Sequence, residues 1–270
     1  MRASLSSDTQ ATLIRTAHAL ADAARPETLR HFRSGLVADD KGPNPGGRFD
    51  PVTEADRAAE RAMRAVLARE RPQDGILGEE YGAEPGTSGL TWVLDPIDGT
   101  RGYISGTPTW GVLIAVSDAE GPIFGIIDQP YIGERFCGGL GEASFAGPRG
   151  TSGLRTALPR PLAAATVLTT FPEIGTPEEH RAFRRVADAA RLVRYGMDCY
   201  GYALLAAGQV DLVIEAGLQP YDVQAPIAVV TAAGGVATNW EGGPAQDGGR
   251  LLAAANAEIH ATAMDLLAGV

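Results

Sequence analysis

Apolar residues recur at helical spacing in two stretches near the N-terminus. In the first stretch, which starts at Ser7, they form one face: Leu13, Ile14, Ala17, Leu20 and Ala21. This pattern predicts a helix over residues 7–24, and Pro26 is expected to break or kink it before a second helical piece reaches Gly35. A second amphipathic helix is predicted from Thr53, a good N-cap residue. Its apolar stripe consists of Ala55, Ala59, Ala62, Met63, Val66 and Leu67.

Beyond the second helix, the apolar pattern changes to short runs that are typical of strands. In the middle of the chain such runs lie at 75–78, 90–94, 110–117, 123–128 and 134–139. No helical pattern separates the last three runs, so antiparallel pairing is expected there. Later strands alternate with helices. The later strands are predicted at 164–170, 192–195, 210–215 and 251–254, and the helices at 177–190, 200–208, 222–233 and the C-terminus.

A segment rich in Gly, Pro, Ser and Thr, 148–161, separates these two patterns. It predicts two subdomains: an α+β subdomain over residues 1–150 and an α/β subdomain over residues 151–270. Together they favour a layered α+β fold. Residues 38–48 combine one lysine with two prolines and three glycines, which predicts a mobile loop. Composition leaves open whether this loop is a flap over a site or a plain connector.

The chain is acidic, with 23 Lys and Arg against 33 Asp and Glu and a formal net charge of −10. This charge argues against nucleic acid and against an anionic membrane surface as partners. A phosphorylated metabolite remains possible, because bound metal can neutralise it. The two cysteines, Cys137 and Cys199, form neither a disulfide framework nor a zinc spacing. We see no secretory signal and no apolar run that could span a bilayer, so a cytoplasmic location is expected.

Two carboxylates and a hydroxyl follow the apolar run that ends at residue 94. Asp95 and Asp98 lie three residues apart, and Pro96 between them lacks the N–H that a sheet ladder needs. Gly99 permits a tight backbone path, and Thr100 can open a short helix or turn whose N–H groups favour an anion. In isolation the segment is either a polar surface turn or an acidic cluster that requires a cation.

Further acids stand at positions that suit either a surface or a site. Asp56 lies in the first turn of the second helix, where a carboxylate suits the helix dipole. Glu79 and Glu80 end a short strand, and alone they read as a solvated pair. Asp222 is so far along the chain that only the fold can bring it to Asp98. Carboxylate oxygens suit Mg²⁺ better than zinc. The histidines are interpreted as surface or packing residues: His18, His31, His180 and His260.

The segment Asp95-Pro-Ile-Asp-Gly-Thr100 resembles D-P-[IL]-D-G-T, the signature of the inositol monophosphatase family. The stretches around Asp56 (V-T-x-A-D), Glu79 (G-E-E) and Asp222 resemble the family as well, although Tyr221 stands where the family more often has Trp. This resemblance implies an α-β-α-β-α layered fold of the inositol monophosphatase and fructose-1,6-bisphosphatase type. It also implies hydrolysis of small phosphate monoesters and a homodimer.

The resemblance further implies an active site with two to three Mg²⁺ ions. The implied ligands are Glu79, Asp95, the Ile97 carbonyl, Asp98 and Asp222. The implied catalytic residues are Glu79, Thr100 and Asp56. In the family, the residue that matches Asp56 orients the threonine hydroxyl that acts on the attacking water. Backbone N–H groups of Gly99 and Thr100 would hold phosphate oxygens.

Other stretches bear on the substrate. Residues 125–130 and 195–200 resemble the histidinol-phosphatase branch of the family, and the second stretch carries Asp198 before a cysteine. Histidinol phosphate contains an ammonium group and an imidazole, which acids can bind. Glu215, in Val-Ile-Glu-Ala-Gly, matches the family's residue that faces the leaving group. The resemblance therefore implies that Asp98, Asp198 and Glu215 contact the substrate, and the expected reaction is hydrolysis of histidinol phosphate in histidine biosynthesis.

Three alternatives stay open at this point. The protein could be a broader phosphatase that acts on inositol monophosphate or a related sugar phosphate. It could be a non-catalytic relative that binds a partner, although the intact set of acids argues against this. Finally, three acids could satisfy backbone groups or a dimer contact and make no contact with the substrate: Asp128, Asp198 and Glu215.

Overall fold

Two N-terminal helices pack against each other on one side of the protein. The computed structural model describes residues 5–35, 39–40 and 51–268. Helix α1 is Ser7–His31 and helix α2 is Glu54–Glu70. The sequence predicted a break or a kink at Pro26. The break is wrong, because α1 continues through Pro26 with buried residues on both sides of it, and the kink stays a prediction. The N-cap of α1 is Ser6, whose side chain accepts a hydrogen bond from the N–H of Thr9.

The predicted loop at residues 38–48 lies largely outside the described residues. Two of its residues, Asp39–Asp40, form strand β1, which pairs antiparallel with β2, Pro51–Val52. Helix α2 then starts after Thr53, as predicted, with a capping box between Thr53 and Asp56.

An eight-stranded sheet follows. Its strands are β3 Gly75–Gly78, β4 Gly82–Glu84, β5 Thr91–Asp98, β6 Gly111–Asp118, β7 Gly121–Gln129, β8 Glu134–Gly139, β9 Glu142–Gly147 and β10 Gly150–Gly153. The spatial order is β10-β9-β8-β7-β6-β5-β3-β4. The predicted antiparallel pairing of β6, β7 and β8 is confirmed, and β3 with β5 is the parallel pair. A short helix α3, Thr100–Ile104, leaves the end of β5.

The second half forms a five-stranded sheet with helices between its strands. The strands are β11 Thr166–Thr169, β12 Leu192–Tyr195, β13 Leu212–Leu218, β14 Val236–Thr238 and β15 Gly249–Ala254, in the order β12-β11-β13-β15-β14. The helices are α4 Pro177–Ala189, α5 Asp198–Ala206, α6 Pro220–Ala232 and α7 Ala257–Leu267. The sequence pattern missed β14, a three-residue strand at the edge of the sheet whose residues are all half-buried, so it shows no alternation.

Three apolar clusters hold five layers together. The first packs α1 and α2 onto the eight-stranded sheet, and the second packs α5 and α6 between the two sheets. The third packs α4 and α7 onto the outer face of the five-stranded sheet. The order α-β-α-β-α is the expected one, and it places α5 and α6 where both sheets reach them.

The chain passes from the first sheet to the second between β10 and β11, within the segment that composition marked as a boundary. Because α6 packs on β6, β7 and β8 of the first sheet, the halves share a core. The division at residue 150 into two subdomains stays a prediction. Within the described ranges, no helix combines the length and the apolarity that a membrane span requires.

Candidate active site

A cavity of about 660 Å³ opens between the two sheets. Residues from β5 and α3 line one side, and residues from the ends of β11 and β13 and the starts of α5 and α6 line the other. The predicted site residues on its wall are Glu79, Asp95, Ile97, Asp98, Gly99, Thr100, Asp198, Glu215 and Asp222. Asp56 is not on the wall but is fully buried in the first turn of α2.

Three carboxylates in the cavity lie close enough to share an ion. Oxygens of Asp95, Asp98 and Asp222 all lie within 4.8 Å of one another. Pro96 shapes the first two positions: it cannot donate to the ladder, and the register of β5 against β6 shifts between Asp95 and Asp98. In this bulge the N–H of Ile97 donates to Asp95 Oδ1 at 3.0 Å. Pro96 thus stays inside β5, instead of ending it as the sequence suggested.

Helices α5 and α6 complete the acidic group. Asp222 lies in the first turn of α6, where its Oδ2 accepts a hydrogen bond from the N–H of Gln219 at 2.7 Å. The N–H of Cys199 in α5 donates to Asp98 Oδ2 at 2.6 Å. The two helices therefore hold acids from distant parts of the chain against the end of β5.

Burial and mutual repulsion make these acids hard to ionise together. Burial, followed by the charges of Glu79, Asp98 and Asp222, raises the pKa of Asp95 well above its ordinary value. Burial and the charges of Asp222 and Asp198 raise the pKa of Asp98 in the same way. A divalent cation would remove this repulsion and let all the acids ionise. The donors are carboxylate and carbonyl oxygens, a set that fits Mg²⁺.

The structure does not contain the expected hydrogen bond between Thr100 and Asp56. The Thr100 hydroxyl donates to the carbonyl of Ile97 at 3.1 Å. Asp56 Oδ2 instead accepts from the N–H of Thr53 at 2.8 Å and from its hydroxyl at 2.5 Å, as a helix cap. Asp56 Oδ1 is buried with no hydrogen-bond partner among the described residues, and burial raises the pKa of Asp56 to about 7. A catalytic role for this pair stays a prediction.

Asp198 is pressed against the turn that precedes α3. Gly99 has a φ of +86°, and a Cβ at that position would lie 2.9 Å from the Asp198 side chain, so the close approach needs glycine. Asp198 itself has a φ of +44°. Burial raises the pKa of Asp198 to about 6, and the Arg101 charge and a hydrogen bond with Thr109 oppose that rise. Asp198 therefore lines the cavity and also holds α5 against α3.

Glu215 lies at the other side of the cavity with both oxygens engaged. Its Oε2 accepts from the Thr169 hydroxyl at 3.1 Å, and its Oε1 accepts from the N–H and the hydroxyl of Thr170 at 2.6 and 2.9 Å. Burial raises the pKa of Glu215 to about 7. Glu215 thus satisfies a backbone group, which was one of the open alternatives, while still lining the cavity.

Asp128 lies outside the cavity. It is fully buried and pairs with Arg25 at 2.8 Å and with Arg135 at 2.7 Å. These ion pairs tie α1 to β7 and β8. In the described residues, Asp128 therefore has a structural role, and the stretch around it does not itself face the site.

A second cluster was not predicted from the sequence: ligand atoms of His18, Cys137 and Glu142 lie within 4.8 Å of one another. Arg135 Nη1 lies 3.1 Å from His18 Nδ1. Because a guanidinium only donates, Nδ1 is the acceptor, and the neutral ring carries its proton on Nε2. Burial and the Arg135 charge lower the pKa of His18, which favours this neutral form. Neither ring nitrogen then offers a free lone pair to a metal, so this cluster is a polar contact between α1 and the sheet.

Arg101 and Phe171, which face each other on the cavity wall, were also not predicted from the sequence. The guanidinium carbon of Arg101 lies 5.3 Å from the ring centroid of Phe171. Among the described residues, Arg101 is the one basic side chain that lines the cavity. Its position directly after the D-P-I-D-G-T segment was an available signal. No sequence signal pointed to Phe171, because it follows β11, a strand from another part of the chain.

Comparisons with known proteins show the family of this chain. The sequence matches the model of the inositol monophosphatase family over residues 9–269. It is 41% identical over 227 residues to the chloroplastic bifunctional phosphatase IMPL2 of Arabidopsis thaliana; the match covers 83% of this chain and 63% of that protein, less than two thirds of its length. It is 35% identical over 255 residues to a histidinol-phosphatase of Streptomyces coelicolor, and covers 92% and 93% of the two chains.

A solved structure of an inositol monophosphatase from Zymomonas mobilis has a TM-score of 0.84 and 37% identity, and the match covers 97% of this chain and 99% of that one. Fold, cavity and relatives together point to a family of phosphatases. The chain belongs to the inositol monophosphatase family. The predicted fold class is confirmed, and phosphatase activity is confirmed at the level of the family.

Proposed function

We propose that this protein is a Mg²⁺-dependent phosphomonoesterase that hydrolyses histidinol phosphate to histidinol and phosphate. The observation that carries the proposal is the meeting of Asp95, Asp98 and Asp222 within 4.8 Å at a cavity between the two sheets. Buried acids that repel one another destabilise the folded protein when they are ionised, and a bound cation would remove this repulsion.

The first role of the cavity residues is to bind metal. Glu79, Asp95, Asp98, Asp222 and the Ile97 carbonyl would hold the metal ions. That carbonyl accepts a hydrogen bond from the Thr100 hydroxyl, and a carbonyl oxygen has two lone pairs. Bound Mg²⁺ would supply the charge that neutralises the phosphate and makes the attacking water more acidic.

The reaction forms one P–O bond and breaks another. Water attacks phosphorus, the P–O bond to the alcohol breaks, and the proton that water loses is balanced by the proton that the leaving alkoxide gains. Thr100, on the wall beside Asp98, would orient the water. Asp56, whose pKa is raised to about 7 by burial, could hold a proton at neutral pH. The N–H groups of Gly99 and Thr100 would hold phosphate oxygens.

The charge of the cavity favours a cationic alcohol. Among the residues that the structure describes, its wall carries six acids and one basic residue, Arg101. Asp198 and Glu215 line the cavity outside the group of three clustered acids, and in this proposal they bind the ammonium or imidazole of histidinol. The Streptomyces relative is named a histidinol-phosphatase, which supports this choice. The second candidate substrate is inositol monophosphate, supported by the likeness to the Zymomonas enzyme.

The test is phosphate release from histidinol phosphate and inositol 1-phosphate, measured side by side with Mg²⁺ and with EDTA. We expect Mg²⁺-dependent turnover and a higher kcat/KM for histidinol phosphate. Equal or reversed preference would replace the histidinol substrate with a broader sugar phosphate. No turnover of either ester would favour a non-catalytic, partner-binding relative.

A variant of Asp198 sharpens the test. Asp198→Asn keeps an acceptor for Thr109 and tolerates the positive φ, so it removes chiefly the charge. Loss of a charged hydrogen bond, about 1.5–3 kcal/mol, predicts a roughly 10- to 100-fold lower kcat/KM on histidinol phosphate and little change on inositol 1-phosphate. The control is Asp188→Asn, the same neutralisation on the exposed side of α4. Equal losses on both esters would assign Asp198 a structural role.

The number of Mg²⁺ ions, the homodimer and the cytoplasmic location stay predictions. Each was implied by the family resemblance or by composition.

A further inference from the structure

Glu60 is a fully buried carboxylate of α2 that has no place in the proposed chemistry. Its Oε2 accepts a hydrogen bond from the N–H of Glu80 at 2.7 Å, and its Oε1 accepts from the N–H of Tyr81 at 3.3 Å. Arg64, one turn further along α2, donates to Oε1 at 2.8 Å. Both oxygens are therefore occupied by donors, which is the condition for keeping a charge inside the protein.

The backbone that Glu60 binds is the turn between β3 and β4, which begins with Glu79. Arg64 holds the far side of this turn, through the Gly82 carbonyl at 2.6 Å and the Glu84 carboxylate at 2.6 Å. Helix α2 thus binds this turn at two places. Glu60 binds its backbone N–H groups, and Arg64 binds its far side.

The bonds of Glu60 complete a clamp around Glu79. The N–H of Glu79 donates to the carbonyl of Leu94 at 3.1 Å, in the strand that leads directly into Asp95. The next N–H along the chain, that of Glu80, goes to Glu60. Consecutive N–H groups are bound by β5 and by α2, so the backbone at Glu79 has little freedom to rotate.

Gly78, the residue before Glu79, makes room for this arrangement. A Cβ at position 78 would fall well inside van der Waals contact of Glu60 Oε1. Gly78 does not need a positive φ, so its lack of a side chain serves the close approach of the carboxylate.

We propose that Glu60 is a positioning residue for Glu79: by binding the N–H groups that follow Glu79, it holds that carboxylate toward Asp95 and sets the affinity of the site for divalent metal. The inference rests on the proposed function, in which Glu79 is a metal ligand. Hydrogen-bond partners behind a metal ligand typically contribute about 10- to 100-fold to metal affinity.

The first test is Glu60→Gln in the full chain. A glutamine presents one acceptor and one NH₂ group, so one donor now faces another donor. We expect the Mg²⁺ dissociation constant, measured by calorimetry without substrate, to rise about 10-fold or more. The Mg²⁺ concentration for half-maximal activity should rise equally, while kcat at saturating Mg²⁺ changes by no more than a few-fold. The control is Glu84→Gln, which also loses a partner of Arg64 but does not touch the N–H groups of the turn.

The second test is Gly78→Ala, which displaces the carboxylate from the opposite side. We expect the same loss of Mg²⁺ affinity. The double variant Glu60→Gln/Gly78→Ala should bind Mg²⁺ no more weakly than the weaker of the two single variants, because both substitutions disrupt the same contact. Lower thermal stability with unchanged Mg²⁺ affinity would show that Glu60 only supports the fold and would overturn the inference. A wild type that binds no divalent ion would overturn the proposed function as well. Should Glu60→Gln fail to fold, Gly78→Ala decides by the same measurement.

Discussion

At the scale of single residues, the acids of the cavity differ in what satisfies them. Asp95 and Asp98 face other acids, and their raised pKa values reflect burial and repulsion. Glu215 accepts three hydrogen bonds from two threonines, and Asp198 bonds Thr109. For the first pair, the charges of neighbouring acids add to burial, and a cation would remove that repulsion. For the second pair, burial is the main cause of the raised pKa values, and hydrogen bonds from threonines oppose it. This contrast is the reason to assign the first pair to metal and the second to substrate.

Thr100 provides the first prediction at this scale. Thr100→Ala should lower kcat by about 10²–10⁴-fold with little change in KM, because its hydroxyl is assigned to the attacking water and not to binding. Thr100→Ser keeps the hydroxyl and should retain most of the activity. Steady-state kinetics on the better ester makes the comparison. A change confined to KM would mean that Thr100 binds phosphate only.

Glu215 provides a prediction of pH dependence. Its pKa is raised from an ordinary 4.5 to about 7, so the folded state binds this proton more tightly than the unfolded chain does. Its contribution to stability is therefore lost as pH rises from about 4.5 to about 7. Glu215→Gln keeps acceptors for Thr170 and offers a donor to Thr169. In EDTA at about pH 8 it should be more stable than wild type, by at most about 3 kcal/mol.

Urea unfolding in EDTA at about pH 4, 6 and 8 checks this sign. The advantage of Glu215→Gln should shrink toward zero at the acidic end, where the wild-type carboxyl is protonated in both states. An advantage that does not vary with pH would contradict the assigned titration.

At the scale of elements, α6 links the site to the sheets. Its first turn carries Asp222, and its later turns pack on β7 and β8 over two glycines. A Cβ at Gly138 would lie 2.5 Å from the Cα of Val229 in α6, and a Cβ at Gly125 would lie 2.7 Å from the carbonyl oxygen of Ala225. The depth at which α6 sits, and therefore the position of Asp222, depends on these bare positions.

Gly138→Ala should therefore displace α6 away from the eight-stranded sheet. Overpacking of this kind costs about 1–3 kcal/mol of unfolding free energy, and the Mg²⁺ concentration for half-maximal activity should rise with it. The matched control is Gly153→Ala on the edge strand β10, where the nearest atom to a new Cβ is the Ala143 carbonyl oxygen at 3.8 Å. Equal effects of the two variants on stability would contradict the close packing of α6.

At the scale of the whole molecule, the cavity joins the two halves of the chain. Asp95 and Asp98 come from the first sheet, and Asp222 comes from the helix that follows β13 of the second. Metal bound by all three would connect the halves directly. It would also offset local repulsion in a chain with a net charge of −10.

Mg²⁺ should therefore raise the Tm of the metal-free protein. At 100 times the dissociation constant the gain is about 2.7 kcal/mol, or roughly 5–10 °C for a chain of this size. Asp95→Asn should abolish turnover and most of this Mg²⁺ response, and its metal-free form should be at least as stable as wild type because one buried charge is gone. Asp188→Asn should keep the full response. Near-normal activity of Asp95→Asn in saturating Mg²⁺ would remove Asp95 from the metal site.

Local pattern determined much of the architecture. Short apolar runs with no helical pattern between them predicted β6, β7 and β8 and their antiparallel pairing, and alternation of strand and helix predicted the second half. The D-P-I-D-G-T segment pointed to the site without any tertiary information. These features are local because periodic burial and turn chemistry are written into neighbouring residues.

Tertiary structure decided what the local rules could not. Proline rules predicted a break at Pro26 and an end at Pro96, yet packing carries α1 through the first and a bulge keeps the second inside β5. Asp128 lies in a stretch that resembles the histidinol-phosphatase branch, but the sequence did not show that Arg25, on helix α1, pairs with it. A sequence displays each residue's chemistry, but which partner satisfies that chemistry depends on segments brought together by the fold. The same holds for Asp222, which joins Asp98 only because α6 packs between the two sheets.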